Sequence, residues 1–163
     1  SRRARPPARP VLSTLHRAMQ ILFGWYDYHL HEFVVGEDVY AADDGFGWMD
    51  QPPKSTSKRL SSLLKDEGDS LLYRYDFGDD WEVDVRLASI TRVADSTPKA
   101  FCLAASRSGP LEDSGGTWGY METLRILGDP RHGEYLSTRR WVPKGFDSES
   151  VDLGEINQKL LRL

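Results

Sequence analysis

His29 and His31 stand two positions apart, and further along the chain lies a turn rich in aspartate, with Asp76, Asp79 and Asp80. Imidazole nitrogens and carboxylate oxygens are the side-chain donors that hold divalent ions. If the histidine segment packs beside that turn, His29, His31, Asp76 and Asp79 form a ligand set. Asp80 or Glu32 would then serve as the base of a metal-dependent hydrolase or nuclease. The plainer reading is a charge-assisted hydrogen bond between histidine and aspartate that holds two strands in register. Two histidines at this spacing are a weak signal, whereas four ligands at fingerprint spacing would be a strong one.

The other chemical motifs are incomplete. Asp76-Phe77-Gly78 matches the magnesium triplet of kinases in letters, yet no glycine-rich phosphate loop precedes it and no His-Arg-Asp follows. Its physical use is a tight turn. Gly115-Gly116 lacks the lysine of a phosphate loop, so capping and close packing outweigh anion binding at the helix that follows. Ser106, Ser108 and Ser114 lie in no Gly-x-Ser-x-Gly elbow. Trp25, Trp81, Trp118 and Trp141 are expected mostly in the core, and Trp48, beside Phe46 and Met49, is the candidate binding contact.

These residues need elements to position them. Leu15, Ala18, Met19 and Leu22 recur at helical spacing, with Ser13 or Thr14 as cap and Gly24 as stop. Residues 28–35 alternate as a strand, which predicts His29, His31, Phe33 and Val35 on one face. Residues 36–57 read as a long surface connection around a short strand. A helical turn is expected near Arg59–Lys65. Leu71, Tyr73, Tyr75 and Phe77 alternate with polar residues, and beyond Gly78-Asp79-Asp80 the alternation resumes with Trp81, Val83, Val85 and Leu87. That pattern predicts a hairpin, its second strand extending through 88–95, with the aromatic face in the core. A short strand at 99–104 and helices near 117–127, 134–140 and 152–162 complete the reading. The fold class is α+β: one domain, a mainly antiparallel sheet of about four or five strands packed by about three to five helices.

The chain has 163 residues, 39% hydrophobic and 28% charged, which fits one folded core rather than a disordered segment. Its net charge of −4 repels a phosphate backbone as a whole. Locally, Arg2, Arg3, Arg5, Arg9 and Arg17 form a leading segment without acidic residues, which reads either as an arm touching phosphate or, more plainly, as a solvated, frayed entry. No apolar run reaches the roughly 18 residues of a membrane span, and a cytoplasmic location is the expectation. Cys102 is the single cysteine, so no internal disulfide forms and a buried thiol is expected.

Four stretches in order resemble the plasmid ORF-3-like family, also called insertion-element passenger proteins. They are Leu15-His16 through Gly24-Trp25-Tyr26-Asp27-Tyr28-His29-Leu30-His31-Glu32-Phe33, then Tyr73-Arg74-Tyr75-Asp76-Phe77-Gly78-Asp79-Asp80-Trp81. Cys102-Leu103 with Pro110-Leu111-Glu112-Asp113-Ser114-Gly115-Gly116-Thr117-Trp118-Gly119-Tyr120 is the third, and Phe146-Asp147 with the final helix is the fourth. The resemblance implies a largely uncharacterised protein carried on plasmids and mobile elements. It also implies a further strand ahead of Arg2-Arg3, so that the amino terminus reads as truncated. Where relatives commonly carry two cysteines and a histidine, Gly109, Ser114 and Val83 stand here, which weakens any metal site built on those positions. The expected function is an accessory module that binds DNA or a protein partner and needs no cofactor. The alternative is the metal-dependent hydrolase or nuclease with a divalent ion on the His/Asp set.

Overall fold

The computed structural model describes residues 1–7, 9–42, 52–91 and 100–163. The first strand, β1 (Arg2–Arg5), leads into helix α1 (Leu12–Phe23), whose Leu12, Leu15, Ala18, Met19 and Leu22 form a buried stripe. Neither Ser13 nor Thr14 caps this helix. It begins one position earlier than the periodicity predicts, because the amides of Leu12 and Ser13 donate to the carbonyls of Lys58 and Thr56 at 3.0 Å each. A packed loop thus does the work of a cap. Gly24 ends the helix at φ +75°.

The main sheet contains β2 (His31–Val35), β3 (Asp38–Ala41), β4 (Ser70–Tyr75) and β5 (Trp81–Arg86), in the order β3-β2-β4-β5 and antiparallel throughout. The predicted hairpin is β4–β5, with Tyr73 opposite Val83 and Tyr75 opposite Trp81. Directly opposed residues share a face. Hence Leu71, Tyr73, Tyr75 and Trp81 fall on the buried side with Phe33 of β2, joined by the partly buried Val83 and Val85 and packed with the α1 stripe. Phe33, Tyr73 and Tyr75 have no exposed surface. Truncating one such aromatic ring to alanine costs about 3–5 kcal/mol. The hairpin's second strand stops at Arg86 rather than running on: the Leu87 amide turns to the Asp69 carbonyl at 2.8 Å, residues 88–91 are not strand, and 92–99 lie outside the described residues. In the expected surface connection, β3 is the short strand. A 3₁₀ turn at Leu60–Ser62 replaces the helical turn near it.

A second sheet pairs β1 with β6 (Phe101–Ala105). The arginine-rich start is therefore not a frayed arm. Arg2 donates from Nε to the Leu22 carbonyl at 2.7 Å and from Nη1 to the carbonyls of Ser1 and Ser106. Burial pulls its pKa below the ordinary arginine value. The remaining helices are α2 (Gly116–Leu127), α3 (Tyr135–Trp141) and α4 (Leu153–Leu160). Asn157 of α4 acts as a surrogate strand against β6: its Oδ1 accepts from the Cys102 amide at 2.7 Å and its Nδ2 donates to the Cys102 carbonyl at 3.1 Å. Cys102 is buried, as expected, and burial raises its thiol pKa. Trp25 and Trp81 lie in the core, but Trp118 is 83% exposed and Trp141 half-exposed, so the four described tryptophans divide evenly between core and surface. Trp48 lies outside the described residues. Among the described residues, no helix is long and apolar enough to cross a membrane.

Candidate metal centre

The segment from Trp25 to Leu30 joins α1 to the sheet, and neighbouring elements take its backbone amides one by one. Trp25 donates its amide to the Gln20 carbonyl at 2.9 Å and its indole N–H to the Pro110 carbonyl at 3.0 Å. The Tyr26 amide donates to Glu112 Oε2, the Asp27 amide to Gln20 Oε1 and the Tyr28 amide to the Tyr75 hydroxyl. Asp27 sits at φ +61° in the left-handed region, an uncommon place for a residue with a Cβ. Regular strand starts only at His31. The alternation that would aim His29 and His31 the same way therefore does not apply, and the two rings diverge into separate clusters.

His31 joins a buried cluster centred on His16. The two imidazoles stack with centroids 3.5 Å apart and planes 5° from parallel. His16 Nδ1 lies 2.8 Å from the Tyr73 hydroxyl, and Nε2 lies 2.7 Å from Asp27 Oδ1. Gln20 Nε2 donates to the same hydroxyl at 3.0 Å, while Gln20 Oε1 accepts the Asp27 amide at 2.9 Å. These bonds close a ring. Because the Tyr73 oxygen accepts from Gln20, its own proton goes to His16 Nδ1, and neutral His16 then carries its proton on Nε2 toward Asp27. Every donor in the ring has an acceptor. Burial keeps His16 below the ordinary histidine pKa despite Asp27, and burial with the neighbouring His16 lowers His31 to about 4. Burial likewise raises the pKa of Tyr73 well above the phenol value.

His29 meets different partners. Its Nε2 lies 3.1 Å from Asp113 Oδ1 and 3.5 Å from Asp76 Oδ2, within ion-pair reach of both, yet among the described residues this buried nitrogen makes no well-formed hydrogen bond. Asp76 is buried and held at φ +59°. Its Oδ1 accepts the Gly78 and Asp79 amides, which leaves Oδ2 facing His29. Asp113, at φ +56°, projects from the loop before α2 with its side chain mostly in water. Among the described residues, His29 is the only charge partner of either carboxylate. Two ligands bound about 2.1 Å from one ion, at about 95–113° to each other, stand about 3.1–3.5 Å apart. Both His–Asp pairs have that spacing, and the Asp76 and Asp113 oxygens lie within 4.8 Å of each other. Next to Asp113, Glu112 Oε1 accepts a hydrogen bond from the buried Tyr75 hydroxyl; burial first, then this carboxylate, raises the tyrosine's pKa. Glu112 and Asp113 line a cleft of about 450 Å³ together with Tyr26, Tyr28, Trp141 and Phe146.

Of the four expected ligands, the structure joins His29 to Asp76 and separates the other two. His31 belongs to the His16 ring. Asp79 accepts the Gly115 amide at 3.2 Å, so the start of α2 is met by the protein's own carboxylate. A Cβ on Gly116 would stand 2.4 Å from the Asp79 carbonyl oxygen, which is why the Gly-Gly pair is there. The two proposed bases are both occupied: Arg74 bonds Glu32 Oε1 at 2.8 Å and Asp80 Oδ1 at 2.8 Å. Glu32 pairs with Arg74 across β2–β4, on the opposite sheet face from His31 and Tyr75. Gly109 has no room for any side chain, since a Cβ would fall 1.9 Å from the Phe23 carbonyl oxygen. The Ser114 hydroxyl donates to the Leu111 carbonyl, and Val83 packs against the core. The residues that sequence reasoning missed are His16, Asp27, Glu112 and Asp113. One signal existed for His16, a polar residue on the apolar stripe of an amphipathic helix.

A relative from Sinorhizobium fredii, described as uncharacterized protein y4hQ, is 35% identical over 96% of this chain and 81% of its own length. The crystal structure of MM3350 from Methanosarcina mazei Go1, a protein of unknown function, aligns with 93% of this chain and 86% of that chain, at TM-score 0.81 and 36% identity. Neither description assigns an activity. The family model described as plasmid pRiA4b ORF-3-like protein matches residues 1–155, and the chain belongs to that family.

Proposed function

We propose that this protein binds a divalent cation at His29, Asp76 and Asp113 and uses it for metal-assisted hydrolysis. One observation carries the reading. A buried imidazole nitrogen faces two carboxylate oxygens at ligand spacing without bonding either of them. One nitrogen and two carboxylates leave open positions on a four- to six-coordinate ion, which is the arrangement of a catalytic rather than a closed structural site. Of the three ligands Asp113 lines the cleft, so a substrate oxygen and a water would reach those positions from the Asp113 side. The ion would polarise the scissile group and lower the pKa of its water. Glu112, the residue before Asp113, accepts from the Tyr75 hydroxyl and the Tyr26 amide, so it holds the segment beside Asp113 in place and the general base would be a water or hydroxide on the ion.

An accessory role on DNA has less support. Arg2, first of the expected phosphate contacts, spends its guanidinium on internal carbonyls, and the cleft is rimmed by Glu112, Asp113, Asp152 and Glu155. The test is hydrolysis of bis(p-nitrophenyl) phosphate with added Mn²⁺, Zn²⁺ or Mg²⁺, beside a gel shift on duplex DNA. Metal-dependent turnover that falls at least about a hundredfold in His29→Ala and Asp76→Asn supports the proposal. A DNA shift with no turnover under any metal favours the accessory role instead.

A further inference from the structure

The cleft beside the proposed ion carries two large aromatic rings that the fold leaves uncovered. Tyr26 is 65% exposed and Tyr28 is 76% exposed, and their rings lie side by side with centroids 5.7 Å apart and planes 22° from parallel. Such rings belong to a mobile surface in many proteins, but here the backbone beneath them is fixed. The Tyr26 amide donates to Glu112 at 2.8 Å, the Tyr28 amide to the Tyr75 hydroxyl at 3.2 Å, and the intervening Asp27 amide to Gln20 at 2.9 Å. Each anchor is itself tied to the sheet or to α1. Rigid aromatic surface held out in water is pre-organised for a flat ligand.

Connectivity sets the distance between that surface and the ion. Tyr28 is the residue before His29, and Glu112, which holds Tyr26, is the residue before Asp113. Consecutive Cα atoms stand about 3.8 Å apart, so the backbones of platform and ligands run together, and Asp113 is the ligand that shares the cleft with the rings. The same cleft is lined by Tyr26, Tyr28, Glu112 and Asp113.

Charge narrows the ligand further. Among the basic residues lining the cleft, Arg2 is committed to carbonyls and Lys159 is paired with Glu155 at 2.7 Å, while the acidic lining outnumbers them. A bare phosphate is repelled from such a wall. A phosphate that shares a divalent ion with the wall is attracted to it, as in sites where one or two carboxylates and the substrate phosphates complete the coordination.

We propose that Tyr26 and Tyr28 form a stacking platform for the base of a nucleoside phosphate whose phosphate oxygens reach the ion at His29, Asp76 and Asp113. This inference rests on the metal reading above and names its substrate class. Stacking is tolerant of base identity, so the platform selects a nucleotide over a phosphate without a base more than one base over another.

Titration calorimetry of the full chain, first with Mn²⁺ alone and then with ADP or pyrophosphate in the presence of Mn²⁺, separates the two claims. The expected result is that ADP binds at least about tenfold tighter than pyrophosphate, from the worth of one stacked base. Tyr28→Ala and Tyr26→Ala should erase that ratio while leaving Mn²⁺ affinity unchanged, and Tyr28→Phe should restore it. Equal affinity for ADP and pyrophosphate in a protein that binds Mn²⁺ overturns the platform and spares the metal site. No Mn²⁺ binding overturns both. Metal-free binding of arginine amide, lost in the same alanine variants, would reassign the rings to an organic cation and overturn the nucleotide proposal.

Discussion

The two clusters both join histidine to aspartate and both have a histidine ring near Tyr75, yet they differ in whether their polar atoms are satisfied. His16, Asp27, Tyr73 and Gln20 close a hydrogen-bonded ring beneath α1, with His31 stacked on it. His29, Asp76 and Asp113 converge with no hydrogen bond from His29 Nε2 among the described residues. A buried polar group is expected to have a partner, so a complete network reads as scaffold and an incomplete one as a place for something the chain does not itself supply. Asp27, His29 and His31 lie within five positions of sequence and Tyr73 and Asp76 within four, and the local backbone sorts them between the two clusters.

The sharpest way to break this contrast is a pair of stability measurements on metal-free protein. Tyr73→Phe removes the hydroxyl that serves both His16 and Gln20, leaving two buried groups unpaired at a cost of about 1–3 kcal/mol. His29→Gln removes no hydrogen bond of Nε2 among the described residues and should shift stability by less than about 1 kcal/mol. Urea denaturation of both variants decides the matter, and equal losses would mean that the clusters are not different in kind.

A smaller effect is expected with pH. The folded pKa of His16 lies below its unfolded value because of burial, so the unfolded chain takes up the proton first. Its contribution is fully present above about pH 6.5 and is lost as pH falls below that range. The groups facing it are Asp27 from the connecting segment, His31 from β2, and Tyr73 and Tyr75 from β4. The melting temperature of the metal-free protein should therefore drop between pH 7 and pH 5, with a shallower slope in His16→Gln. An identical slope would remove His16 from the explanation.

The scaffold was more legible in the sequence than the site was. Period-two alternation through Leu71–Tyr75 and Trp81–Val85 specified the hairpin and its buried face, because a strand pair obeys that period wherever one side is covered. The α1 stripe was readable for the same kind of reason. The site sits where neither period holds. His29 lies in a segment whose amides are tied to a side chain of α1, a tyrosine of β4 and a glutamate of a distant loop, so its direction follows from long-range bonds rather than from spacing. Asp113 reaches it from 84 positions away in the chain. Asp79 illustrates the opposite error, since its turn position suggested a ligand while its real work is at the start of α2. The arginine-rich start looked solvated because strand pairing with β6 is invisible in four residues without alternation.

Calorimetric titration of Mn²⁺ and Zn²⁺ into the metal-free wild type, Tyr73→Phe and His29→Gln tests the central claim most directly. The account predicts one equivalent bound by the wild type and by Tyr73→Phe, with binding weakened at least about a hundredfold in His29→Gln. Binding that survives in His29→Gln and disappears in Tyr73→Phe would place the ion in the His16 ring and contradict the assignment of the two clusters.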